Sequence, residues 1–105
     1  MITEIVTFPL PIEMSREQAI FAYWRSVPTW QQNLDLLRKQ FLYNPADRLG
    51  GVVYLWKSLE DAKRWHGDGY QQKISEIFGS QPTFRYCESH VVIDNDSGVV
   101  IEEED

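Results

Sequence analysis

Two hydrophobic periodicities alternate along the chain, and their order limits the folds open to it. The two-residue alternation typical of strands occurs in four segments: Ile2–Leu10, Leu34–Asn44, Val52–Lys57 and Thr83–Ile93. Apolar residues at helical spacing occur in two regions between them. The predicted order is strand, helix, strand, strand, helix, strand, and 105 residues suffice for one domain.

The first helical region begins with a capping-box pattern. The Ser15 hydroxyl can accept from a free backbone N–H, and the Gln18 side chain can reach back to the cap. One helix face then follows at Ile20, Tyr23, Trp24 and Val27. Proline removes a donor and crowds the preceding turn, so Pro28 is predicted to kink or end the helix. Trp30 would then lie in a short turn or loop.

The second helical region is predicted to consist of two pieces. Ser58 with Asp61 caps the first piece, and Gly67–Gly69 breaks it. The second piece has apolar positions at Tyr70, Ile74, Ile77 and Phe78. His66 follows Ala62 by four residues, so it is predicted to share the side of the helix that faces the sheet.

Two right-handed βαβ crossovers in one sheet give an α+β, ferredoxin-like βαββαβ fold. It has a four-stranded antiparallel sheet with the helices on one face. The strands are apolar in both registers: Phe41 and Tyr43 occupy one, Leu36 and Leu42 the other. The face without helices therefore needs a cover. A second copy is the simplest cover, and we predict a homodimer.

Composition excludes several classes of protein. A net charge of −6 with scattered basic residues argues against binding of nucleic acid. Cys87 is the only cysteine, which excludes an intramolecular disulfide and a cysteine-based metal cluster. No apolar run approaches the roughly 20 residues of a membrane span. The start of the sequence does not resemble a signal peptide, so a cytoplasmic protein is expected.

The chain ends in an acidic run. Residues 1–98 are predicted to form the domain, and residues 99–105, which end in Glu102, Glu103, Glu104 and Asp105, to form a disordered tail. A short strand at Val99–Ile101 is the alternative.

Few residues suggest chemistry. His66 is either a packed residue at a helix end or a polar group in a cleft between helix and sheet, a role suited to a side chain that titrates near neutral pH. Large rings either fill the core or line a cavity for a small planar ligand: Trp24, Tyr54, Trp56, Trp65 and Tyr86. The strand cations Arg38, Lys39 and Arg85 could form salt bridges or hold an anionic substrate group. No set of residues has metal-ligand spacing, and no metal or cofactor is predicted.

The segment Gly50–Ala62, continuing to Trp65 and His66, resembles the dimeric α/β-barrel superfamily. More narrowly, it is similar to the YdhR-type and antibiotic-biosynthesis monooxygenases. Pro82–Tyr86 and Val91–Asn95 resemble the last strand of the YdhR-type branch. The resemblance implies a homodimer whose two sheets close a barrel, with each cleft between sheet and helices. His66 matches the cleft histidine of that pattern, and Trp56 and Trp65 match its aromatic positions.

The resemblance also implies an activity. Some members oxidise aromatic substrates with molecular oxygen and without metal or flavin, because the deprotonated substrate supplies the electrons. Haem degradation is disfavoured, since the haem-ligating histidine of that branch falls on Ser75. We therefore expect a cofactor-independent monooxygenase-like protein that acts on a small aromatic or polycyclic compound. His66 would be the base or anion-stabilising donor, Tyr54, Trp56 and Trp65 the walls and Arg38 an anchor. The alternatives are a non-catalytic ligand-binding dimer and an isomerase or decarboxylase on the same scaffold.

Overall fold

A computed structural model describes residues 1–102, except for the side chain of Asp68. Its elements, in chain order, are β1 (Ile2–Pro9), α1 (Arg16–Gln31), β2 (Leu36–Asn44), β3 (Leu49–Trp56), α2 (Leu59–Trp65), α3 (Asp68–Phe78), β4 (Thr83–Glu88), β5 (Val91–Asp94) and β6 (Val99–Glu102). None of the helices in this part of the chain is long and apolar enough to cross a membrane.

Four strands form one antiparallel sheet in the order β2-β3-β1-β4. The buried side chains of the strands and of all three helices form a single cluster, so the helices lie on one face of this sheet. The predicted α+β ferredoxin-like fold with a four-stranded antiparallel sheet is confirmed.

The α1 helix begins as predicted but does not end at its proline. Ser15 and Gln18 form both hydrogen bonds of the capping box. Pro28 lies inside the helix, which continues to Gln31, so the prediction that Trp30 lies in a turn or loop is wrong. The carbonyl that loses its helical partner is that of Trp24. The Trp24 side chain is 68% exposed, so this carbonyl lies on the solvent side, where water can donate to it.

Two adjacent glycines bring α1 close to the sheet. An added Cβ at Gly50 would lie 2.6 Å from the Tyr23 hydroxyl oxygen, and one at Gly51 would lie 2.5 Å from the Val6 carbonyl oxygen. In the space that the glycines leave, the Tyr23 hydroxyl donates to the Leu42 carbonyl at 2.8 Å and accepts from the Gly51 N–H at 3.3 Å. Gly50 thus leaves room for Tyr23, which lines the cavity described below.

The end of the chain differs from prediction. The segment predicted as one strand over Thr83–Ile93 is divided into β4 and β5. The Asp94 side chain accepts from the backbone N–H groups of residues 96 and 97, and Gly98 has φ +73°, so the polar stretch between β5 and β6 forms a turn. Residues 99–102 form strand β6, paired with β5, which agrees with the alternative of a short strand at Val99–Ile101. Residues 103–105 of the predicted tail lie outside the described residues.

Candidate functional site

An opening lies between α1, α3 and the helix-covered face of the sheet. It is a cavity of about 440 Å³. Six of its lining residues are aromatic: Phe8, Tyr23, Trp30, Phe41, Tyr70 and Phe78. A smaller cavity of about 340 Å³ lies between the end of α1 and β2, and Trp30, Lys39 and Phe41 line both openings. An aromatic-lined space beneath the helices is therefore present.

Lys39 brings an amine to this space. The register of β2 opposite β3 pairs Lys39 with Tyr54 and puts its side chain on the helix-covered face of the sheet. Its Nζ lies 3.9 Å from the ring centroid of Trp30, 4.6 Å from that of Phe41 and 4.8 Å from that of Tyr54. Within residues 1–102 the amine has neither a hydrogen-bond acceptor nor an ion-pair partner.

This environment makes the amine a weak base for a lysine. Burial lowers the pKa of Lys39 to about 6, although the Glu4 carboxylate opposes part of that effect. The ring faces around Nζ stabilise a cation only in part, because they do not replace its hydration shell. At neutral pH the amine of Lys39 is therefore mostly unprotonated and can accept a proton.

Replacement of Lys39 by methionine is expected to stabilise the fold near neutral pH. Between about pH 6 and pH 10.5 the unfolded chain keeps the Lys39 proton and the folded chain does not. The free energy of unfolding of the wild type therefore rises with pH, by about 1.4 kcal/mol per pH unit from this group alone. Lys39→Met lacks this dependence, so its stability advantage over the wild type should shrink by about 3 kcal/mol between about pH 7 and about pH 9.

Urea unfolding at the two pH values measures this difference. Lys63→Met, which changes an exposed residue of α2, is the matched control and should show a constant difference from the wild type. If the difference in unfolding free energy between Lys39→Met and the wild type is also the same at both pH values, Lys39 titrates normally in the folded chain.

A buried carboxylate and a histidine lie behind the cavity wall. Glu4 is on the helix-covered face of β1, and His66 caps the C-terminus of α2, where its N–H bonds the Ala62 carbonyl. The Nδ1 of His66 lies 2.7 Å from a Glu4 carboxylate oxygen, and the Trp56 indole N–H donates to Glu4 Oε1 at 2.9 Å. The side chains of Glu4 and His66 are fully buried. A carboxylate partner at Nδ1 places a proton there, which leaves Nε2 as the free position.

Aromatic rings enclose the imidazole of His66. Tyr70 stacks on it with centroids 3.8 Å apart, and Tyr54 meets it edge-on at 4.5 Å. The Trp30 ring also meets it edge-on, at 5.7 Å. The Nε2 atom of His66 is buried and has no hydrogen-bond partner. Because Tyr70 and Trp30 also line the cavity, their rings form the partition between it and the imidazole.

The two tyrosines of this enclosure are joined by their hydroxyls, with oxygens 2.5 Å apart. Burial raises the pKa of Tyr54 and of Tyr70, so both are neutral phenols at neutral pH. One hydroxyl therefore donates to the other, and the pair holds Tyr70 in place over the imidazole.

The predicted site residues are only partly brought together. His66, Tyr54 and Trp56 are packed against one another, but none of them lines the 440 Å³ cavity. Tyr86 pairs with Glu4 across β1 and β4, and burial together with the nearby carboxylate raises its pKa to about 12. The roles assigned to these residues as ligand contacts stay predictions.

Three other predicted residues lie at the surface. Trp24 is on the solvent side of α1. Trp65 is 44% exposed, and its indole N–H donates to Asp35 at 3.1 Å. Arg38 is exposed on the edge strand β2, lines only the smaller cavity, and lies 3.9 Å from Asp94 of β5. The structure does not bring these three side chains to the imidazole or to the larger cavity.

Two charged residues lie at the centre of this region: the sequence analysis did not single out Glu4, and it named Lys39 only as one of three strand cations that could hold an anionic group. Glu4 shares a strand register with Val6 and Phe8, and Lys39 shares one with Phe41. The signal that could have identified Glu4 and Lys39 is a charged residue in an otherwise apolar strand register. Such a residue is either exposed or, if it is buried, paired or functional.

Comparison with known proteins gives likeness in structure alone. No protein-family model matches the chain, and no curated protein matches its sequence. One similar structure is an asparagine-to-alanine variant of SnoaB, a cofactor-independent oxygenase from Streptomyces nogalater. Its TM-score is 0.62 at 11% identity, over 84% of this chain and 91% of that one.

A second similar structure is that of a candidate antibiotic biosynthesis monooxygenase from Deinococcus radiodurans. The TM-score is 0.60 at 15% identity, over 90% of this chain and 97% of the other. At these identities the likeness establishes the fold. The predicted resemblance to antibiotic-biosynthesis monooxygenases is thus confirmed at the level of the backbone.

Proposed function

We propose that this chain is a cofactor-independent monooxygenase that oxidises a small aromatic or polycyclic phenol in the 440 Å³ cavity. The observation that supports this most strongly is the position of the Lys39 amine among the rings of that cavity, where burial lowers its pKa to about 6. The oxygenase named among the similar structures shares this fold. Fold alone decides no reaction, so the activity depends on the chemistry of the residues that line the cavity.

The cavity fits a flat apolar ligand. Its volume falls within the range of about 300–1,000 Å³ typical of small-molecule sites. The rings of Trp30, Phe41 and Tyr70 offer faces and edges against which a planar compound can stack. Arg25, Lys73 and Glu76 also line the opening, so charges of both signs are available to polar substituents of a ligand.

The first step is removal of the phenolic proton. The Lys39 amine accepts it and becomes an ammonium ion next to the phenolate that it has created. In a cavity with little water, this pair attracts more strongly than it would in solution, which favours the electron-rich anion. The protein thus supplies a base, a counter-ion and exclusion of water.

The second step is the reaction of the anion with oxygen. The phenolate gives one electron to O₂, and the resulting ring radical and superoxide join in a carbon–oxygen bond at a ring C–H position. The O–O bond of this peroxide then breaks as the ring C–H proton leaves. One oxygen atom stays as a ketone and the other leaves as water, so a naphthol and one O₂ give a naphthoquinone and one H₂O. The ammonium of Lys39 returns its proton to the departing oxygen.

His66 is the second candidate for the base. Its Nε2 is unpartnered, and Glu4 holds its tautomer and orientation. Its ring is separated from the cavity by Tyr70 and Trp30, so it would reach a ligand only after one of these rings moves. Comparison of oxygen consumption in Lys39→Met and His66→Phe separates the two candidates.

Oxygen uptake by the wild type with a dihydroxynaphthalene tests the proposal. In the presence of a metal chelator we expect one O₂ consumed per quinone formed, with one atom of ¹⁸O₂ in the product and one in water. Quenching of tryptophan fluorescence by the naphthol without oxygen uptake would contradict the proposal and favour a binding protein. Ring-proton exchange or carbon dioxide release without oxygen would also contradict it and favour an isomerase or decarboxylase.

We also propose that the active form is a homodimer. The outer face of the sheet offers Ile5, Leu42 and Val53, all partly exposed, and β5–β6 exposes Val91, Ile93 and Val100. Burial of such a surface by a second copy is favourable at about 25 cal/mol per Å². Sedimentation at micromolar concentration should give twice the mass of the chain, and a monomer would contradict the dimer alone.

A further inference from the structure

We infer that Lys39 is also a covalent binding site for aromatic aldehydes, with which its Nζ forms an imine inside the ring-lined cavity. Three ring faces lie within 5 Å of Nζ, with the Trp30 centroid at 3.9 Å as the nearest. Lys39 lines both openings, so the amine lies where they meet. No hydrogen bond within residues 1–102 holds the amine.

Imine formation needs what this position provides. The nitrogen lone pair attacks the carbonyl carbon, a C–N bond forms, and the carbonyl oxygen leaves as water with the two amine hydrogens. Nothing is oxidised or reduced, so no further reactant is required. An apolar cavity favours the product because water is released from it, and desolvated lysines serve as imine-forming nucleophiles for this reason.

The protonation state separates Lys39 from an ordinary lysine side chain. An ordinary lysine, with a pKa near 10.4, has only about one amine in 2,500 unprotonated at neutral pH. Burial lowers the pKa of Lys39 to about 6, so most of its amines are free there. The remaining lysines, Lys57, Lys63 and Lys73, are exposed. The difference in free amine is about three orders of magnitude and favours Lys39.

The aromatic part of the ligand follows from the walls. An aldehyde held at Nζ must place its substituent among Trp30, Phe41 and Tyr54, which offer ring faces and edges to an aromatic group and few polar partners to a sugar or an acid. Once the imine forms and takes up a proton, the nearby Glu4 carboxylate stabilises its positive charge, as it does for the ammonium. The ligand class is therefore an apolar aromatic aldehyde.

The inference does not depend on the oxygenase activity. Trapping can be carried out under nitrogen, where no oxygenation occurs. Failure of oxygen uptake leaves the imine site intact, and failure of trapping leaves oxygen uptake to be judged by itself.

Reductive trapping tests the inference on the wild-type protein. The protein is treated with 2-naphthaldehyde and sodium cyanoborohydride at about pH 7, followed by intact-mass and peptide mass spectrometry. We expect one naphthylmethyl group, on Lys39, added at least about 10-fold faster than on any other lysine or the N-terminal amine. Excess 2-naphthol, which has the same rings and no carbonyl, should slow the reaction at Lys39 alone.

Two variants complete the test. Lys39→Arg keeps a long nitrogen-bearing side chain but forms no stable imine and should lose the fast adduct, whereas Lys63→Arg should keep it. Adducts spread evenly over all four lysines, or a fastest adduct at another amine, would overturn the inference. Because the wild-type peptide map already decides the question, a variant that fails to fold leaves the result in place.

Discussion

Lys39→Met is expected to lower oxygen consumption with a dihydroxynaphthalene by at least about 100-fold. Removal of a positioned general base typically costs about 10²- to 10⁴-fold in rate. Methionine has a similar length and an apolar surface, so the cavity and its rings should keep their shape while the Lys39 amine is lost. The measurement is initial oxygen uptake at saturating substrate, with binding followed separately by tryptophan fluorescence.

Lys63→Met is the matched control, because Lys63 is exposed on α2 and lines neither cavity. Its oxygen uptake should stay within about two-fold of the wild type, since surface substitutions of this kind change stability little. Lys39→Met that binds the naphthol and keeps more than half of the wild-type rate would contradict the role of Lys39. His66, whose Nε2 is unpartnered, would then be the base to test next.

Glu4→Ala is expected to lower the free energy of unfolding by about 3–5 kcal/mol. Glu4 is fully buried, and its carboxylate forms hydrogen bonds with the Trp56 indole N–H and with Nδ1 of His66. Loss of one member of a buried charged or polar pair costs about 3–5 kcal/mol, because its partners stay buried without an acceptor. For a domain of 105 residues this is a large share of a total of about 5–15 kcal/mol.

Glu4→Gln separates the hydrogen bonds from the charge. The amide oxygen can still accept from Trp56, while the amide N–H₂ can donate to Nδ1 if His66 moves its own proton to Nε2. We expect a loss smaller than for Glu4→Ala, together with a change of tautomer visible in the ¹⁵N shifts of the imidazole. Chemical denaturation measures the first effect. A Glu4→Ala protein within about 1 kcal/mol of the wild type would show that the pair contributes little.

The order of strands and helices could be predicted from the sequence because caps and hydrophobic alternation depend on residues that are close together in the chain. The capping box at Ser15 and Gln18, the Ser58 cap and the two-residue alternation of the strands involve neighbours in sequence. The same patterns placed His66 on the sheet-facing side of its helix, where the structure has it. Pro28 shows the limit of such local patterns. The cost of a proline inside a helix depends on whether water can donate a hydrogen bond to the carbonyl that loses its partner.

The candidate site depended on contacts between distant residues. Glu4 and His66 are 62 positions apart, and their pairing follows only from how β1 and α2 pack. Alternation separates Arg38 from Lys39, because successive residues of a strand point to opposite faces. It does not say which face the helices cover, and the anchor was therefore assigned to Arg38 rather than to the inward-facing Lys39. The ring partition of Trp30 and Tyr70 likewise required the packing of α1 against α3.

Both the proposed base and the imine site require that the Lys39 amine, among the rings beneath the helices, is uncharged at neutral pH. The most direct measurement is an NMR titration of the side-chain ¹³Cε signals of the four lysines, assigned with Lys39→Arg. One signal, that of Lys39, should titrate near pH 6, well below the value of about 10.4 that is ordinary for a lysine side chain. If the Lys39 signal also titrates above about pH 9, the amine is charged at neutral pH, and both the proposed base and the imine site are contradicted.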